Sequence, residues 1–110
     1  MKMQFRVIER SYEDICEMQQ MANTIRKQIG MMNLMAIGAR EYKFLEDENP
    51  GISFKVNRSQ ARQRMEIFLI NDTYTVQLWK KTKTDDVLLE VARDIYCDQI
   101  GSIVYHMVNK

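Results

Sequence analysis

Residues 65–80 read Met65-Glu66-Ile67-Phe68-Leu69-Ile70-Asn71-Asp72-Thr73-Tyr74-Thr75-Val76-Gln77-Leu78-Trp79-Lys80, two strand-forming runs on either side of Asn71-Asp72. The first run is apolar on both faces, the pattern of a strand inside a sheet. The second alternates, with Tyr74, Val76 and Leu78 on one face and Thr75, Gln77 and Trp79 on the other. A turn this short makes the two strands antiparallel.

On the upstream side, Ile52, Phe54 and Val56 alternate with Ser53 and Lys55 as a half-buried strand. Residues 46–51 form a turn ending in Pro50-Gly51. Residues 34–44 read as an earlier strand, with Gly38 marking a bulge or a close approach by another segment. Downstream, a basic turn at 81–86 leads to a strand at 87–92. Ser11 with Asp14 resembles a capping box, and Ile15, Met18, Ile25 and Ile29 recur at helical spacing before Gly30. A helix over 11–29 follows, and a second is expected over 96–108. Residues 3–8 alternate as a short strand. The expectation is a single α+β domain over 1–110. Its sheet is an antiparallel meander of about five strands, with an N-terminal and a C-terminal helix packed on one face.

In a meander, alternate turns share an end of the sheet. The polar stretch 57–64 brings Arg58, Arg62 and Arg64 beside Lys55, and the turn 81–86 brings Lys81 and Lys83 beside Lys80. Glu46, Asp47, Glu48 and Asp72 collect at the opposite end. A chain with 16 basic and 15 acidic residues can thus be polarised although its net charge is +1. Trp79 lies near the basic end, so Lys55, Arg58, Arg62, Arg64, Trp79, Lys80, Lys81 and Lys83 form the candidate partner-binding set. Trp and Arg are enriched where protein interfaces are strongest, and together they also suit stacking and phosphate pairing with nucleic acid.

Machinery for catalysis is not legible. There is no nucleophile elbow, phosphate loop or Cys-His signature. His106 stands alone on the last helix without an orienting partner. Glu13, Asp14 and Glu17 suit a helix N-terminus, and Asp94 and Asp98 suit the start of the last helix. With two cysteines and one histidine, the usual zinc sets are unavailable, so no metal or cofactor is expected. Cys16 and Cys97 are expected as reduced thiols in or near the core, and Tyr74, Tyr96 and Tyr105 as core-packed rings. Nine methionines, among them Met18, Met21, Met31, Met32 and Met35, are expected chiefly to fill the core. No signal peptide or membrane-spanning run is visible, which points to the cytoplasm. Edge strands at 34–44 or 3–8 leave a homodimer open.

Five segments carry a family resemblance. Ile25-Arg26-Lys27-Gln28-Ile29-Gly30 is similar to an ILxQLGG helix end, and Met35-Ala36-Ile37-Gly38-Ala39-Arg40-Glu41-Tyr42 to an AMTGAKNF segment. Gly51-Ile52-Ser53-Phe54-Lys55-Val56 resembles LSFKL, Asn71-Asp72-Thr73-Tyr74-Thr75-Val76 resembles DTYDV, and Ile95-Tyr96-Cys97-Asp98-Gln99-Ile100 resembles VYADQL. In this order they resemble a family of small proteins of phages, prophages and other bacterial mobile elements. This chain lacks the second glycine after Gly30 and has Ile37 in place of threonine. The resemblance implies a setting in a bacterial host cell. With no catalytic residues, the expected function is binding of another protein, most concretely the inhibition of a host defence system as anti-CRISPR proteins do. The alternative is a nucleic-acid-binding accessory protein using the basic turns 55–64 and 80–83.

Overall fold

Five antiparallel strands follow one another in chain order across a single sheet, β1-β2-β3-β4-β5. In this computed structural model, residues 12–46, 49–57 and 62–109 are described. The elements are α1 (Tyr12–Ile29), α2 (Met31–Ala36), β1 (Arg40–Glu46), β2 (Pro50–Val56), β3 (Gln63–Ile70), β4 (Thr73–Lys81), β5 (Asp86–Ile95) and α3 (Ile100–Val108). The helices pack on one face, giving the expected two-layer α+β architecture. The strand expected at 3–8 lies outside the described residues, as do Asp47, Glu48 and Arg58.

The hairpin at the centre forms as its sequence dictates. Asn71 and Asp72 both take positive φ, 50° and 68°, the backbone a tight hairpin requires and the one Asn and Asp tolerate best. Pairing of Met65 with Leu78, Ile67 with Val76 and Leu69 with Tyr74 then aligns one apolar face. Phe54 and Ile52 continue it on β2, opposite Met65 and Ile67. Ile25 and Ile29 of α1 and Ile100 and Val104 of α3 close over these side chains, and all are essentially solvent-free. The side-chain period of two hides this face, and no described helix packs on the other.

The segment before β1 departs from the expected strand at 34–44. Residues 31–36 form the helix α2, because Met, Leu and Ala favour helix and Gly30, at φ 92°, breaks it from α1. Gly38 (φ 71°) ends α2: its N–H donates to Met35 O at 3.1 Å, and Ala39 N–H donates to Leu34 O at 3.0 Å. This is a Schellman stop, with glycine where a left-handed residue is needed. Gly38 is a helix terminator, and the bulge falls at Glu41 (φ 56°), between Arg40 and Lys43. Of the edge expected at 34–44, residues 40–44 lie in β1, one of the two edge strands of the described sheet, and 34–39 do not.

Smaller differences have similar causes. Pro50 and Gly51 belong to β2, where a Cβ on Gly51 would stand 2.1 Å from Ile67 O of the neighbouring strand. Residues 96–99 form a turn ahead of α3, closed by Gln99 N–H to Tyr96 O at 2.9 Å. Asp94 consequently lies within β5, at φ 59°, and does not open the helix; Asp98 lies in the turn.

Candidate functional site

The β2–β3 and β4–β5 connections meet at one end of the sheet, as the meander requires. Lys81 N–H donates to Arg62 O at 2.9 Å, tying the second connection to the first. Below them, on the face without helices, register places Lys55 opposite Arg64 and Arg64 opposite Trp79. The result is a depression of about 740 Å³ lined by Lys43, Lys55, Arg62, Arg64, Trp79, Lys81 and Lys83, with Glu41, Glu66 and Asp86 among them.

Five of the expected residues beyond Trp79 are thus brought together: Lys55, Arg62, Arg64, Lys81 and Lys83. Lys80 is not one of them. It alternates with Trp79 and Lys81 along β4 and so belongs to the opposite face, beside Gln63 and Val87. Lys43 is the cation the sequence reading missed, because the register of β1 was hidden by the bulge.

Two ion pairs tune the depression. Lys55 Nζ lies 3.0 Å from Glu41 Oε1, and Arg64 Nη2 lies 2.6 Å from Glu66 Oε2. The hydrogen bond from Lys55, aided by its charge and by Arg40 and Lys43, holds the Glu41 carboxyl below its usual pKa despite some desolvation. Arg62, Lys81 and Lys83 have no carboxylate partner among the described residues. The half-buried Trp79 donates its Nε1–H to Gln77 Oε1 at 3.1 Å, which fixes the indole and leaves part of its ring in the depression.

Other expectations sort differently. Tyr74 is buried and its hydroxyl meets Gln28 Oε1 at 2.5 Å, whereas Tyr96 and Tyr105 are exposed. Cys97 is a free, exposed thiol, not a core residue; the side chain of Cys16 lies outside the described ones. Met31, Met32 and Met35 are 74%, 81% and 71% exposed, so α2 turns its methionines to solvent. Met65 and Met107 do fill the core, and the partly buried Met21 packs against it. His106 is exposed near the end of α3, its ring edge-on to Tyr105. Among the described residues no three His, Cys, Asp or Glu side chains gather as metal ligands, and no helix is long and apolar enough to cross a membrane.

Comparison with known proteins gives no match to a family model, a curated protein or a solved structure.

Proposed function

We propose that this protein is a non-enzymatic binding module, and that the sheet face opposite its described helices grips an acidic surface of a protein partner. The observation that carries this reading is the pairing of Arg64 with Trp79 inside a depression ringed by Lys43, Lys55, Arg62, Lys81 and Lys83. Arg and Trp are the side chains most enriched at interface hot spots, and here both stand on a rigid sheet. Glu41, Glu66 and Asp86 interleave with the cations. Such a mixed pattern fixes the orientation of one complementary surface, whereas a phosphate backbone rewards uniform positive charge. The resemblance of the chain to phage and mobile-element proteins supplies the setting: a bacterial cytoplasm, with a component of a host defence system as the partner to be blocked.

A second reading is favoured by the indole itself. Trp79 beside Arg64 is a stacking platform next to a phosphate clamp, as single-stranded nucleic acid requires. Titration with polyglutamate and with an unstructured oligodeoxynucleotide across a salt series separates the two. Tighter binding of polyglutamate, weakened by Arg64→Glu, supports the protein reading. Tighter, steeply salt-dependent binding of the oligonucleotide replaces it with the second.

A further inference from the structure

The helical layer holds a second concave surface, separate from the depression around Trp79. Asn23, Arg26 and Lys27 of α1, Met31, Leu34 and Met35 of α2, and Gly38, Ala39 and Tyr42 enclose a groove of about 680 Å³. It continues along α1 toward Lys43 and Phe44 through a smaller hollow of about 210 Å³ that shares Asn23, Arg26 and Tyr42. Its floor is apolar and its rim is cationic, and no carboxylate lines either part among the described residues.

Three features set the chemistry of an occupant. Met31 and Met35 are one helical turn apart on α2 and largely exposed, so flexible thioethers face the groove without a covering layer. The Arg26 guanidinium lies 4.0 Å above the Tyr42 ring, which holds a positive charge in the groove without any carboxylate partner among the described residues. Lys27 adds a second cation from the last turn of α1. Beside them the bulge at Glu41 interrupts the regular ladder of β1, which disfavours simple strand addition to this edge.

We infer that this groove takes a short amphipathic acidic helix of a protein partner, with apolar side chains on Met31, Leu34, Met35 and Tyr42 and carboxylates on Arg26 and Lys27. Helix-in-groove recognition uses this combination of an adaptable apolar floor and a charged rim. The groove's continuation meets the depression proposed above at Lys43, but Arg26, Lys27, Met31, Leu34, Met35 and Tyr42 line the groove alone, so each site can fail without the other.

The test uses fluorescence anisotropy with a labelled helical peptide carrying leucines at i, i+3, i+4 and i+7 and glutamates elsewhere. Two control peptides replace the glutamates by lysines or the leucines by serines. The glutamate–leucine peptide should bind the full chain, and both controls should bind at least about tenfold more weakly. Measured in an Arg64→Glu background, which weakens the sheet face as a competing site for acidic ligands, Met35→Glu and Lys27→Glu, both at exposed positions, should each weaken binding about tenfold or more with an unchanged circular dichroism spectrum. Absence of binding, equal binding of the lysine peptide, or binding left unchanged by both Met35→Glu and Lys27→Glu in that background would each overturn the assignment.

Discussion

Arg64 and Trp79 face each other across β3 and β4, and both side chains line the same depression on the side of the sheet without helices. The register that joins them is set by the Asn71-Asp72 hairpin. A slip by one residue would send Trp79 into the core and Leu78 to solvent. Burial of Tyr74, Val76 and Leu78 therefore holds Arg64 and Trp79 in place as well as the fold.

The first prediction concerns the ion pair at the rim. Replacing Glu41 by Gln frees Lys55 and adds a positive charge to the depression. Polyglutamate should then bind about twofold to fivefold more tightly at low salt, and the gain should vanish at high salt. Titration calorimetry at two ionic strengths checks both parts.

Tyr74 makes stability depend on alkaline pH. Burial raises its pKa above the usual value of 10, aided by the nearby Cys97, while the Gln28 hydrogen bond acts the other way. A raised folded-state pKa favours the protonated phenol in the fold. Its stabilising contribution is full below the unfolded value and is lost as pH rises through the folded one. Denaturation midpoints between neutral pH and strong alkali should fall more steeply for the native chain than for Tyr74→Phe.

Phe54 tests the core. Its ring is fully buried and lies 5.5 Å from that of Tyr42. Phe54→Ala should cost about 3–5 kcal/mol in chemical denaturation, the range for deleting a buried aromatic ring.

Gly51 and Gly101 test two close approaches. A Cβ at Gly101 would stand 2.7 Å from both Ile29 O and Asn33 Nδ2, the pair whose own hydrogen bond of 2.8 Å closes the end of α1. Although alanine favours helix, Gly101→Ala should lower the melting temperature, because backbone must move. Gly51→Ala should lower it further, since the approach to Ile67 O is shorter and lies between paired strands.

Most of the fold was legible because β2 and β4 alternate in sequence and β3 is apolar on both faces, as strands between neighbours are, and β4 buries every second residue. The hairpin, the meander and the meeting of the two basic connections all follow from those strands. Residues 31–39 were misread for a physical reason: a six-residue helix is too short to show a period, and its Gly38 stop looks like a bulge in a strand. That error concealed the groove along α2, since methionines placed in a strand were expected in the core. Lys80 was assigned to the site by nearness in sequence, whereas the pleat puts it on the other side of the sheet from Trp79. Lys43 was hidden because a bulge shifts register without leaving a distinctive sequence mark.

The central claim is that the Arg64–Trp79 face binds a protein. Its most direct measurement is a pull-down from bacterial lysate, treated with nuclease and washed at high salt. The native chain is compared with an Arg62→Glu, Arg64→Glu, Trp79→Ala triple variant of matched circular dichroism. The account expects a stoichiometric protein partner retained by the native chain and lost by the variant. Equal retention by both, or recovery of nucleic acid alone when nuclease is omitted, would contradict it.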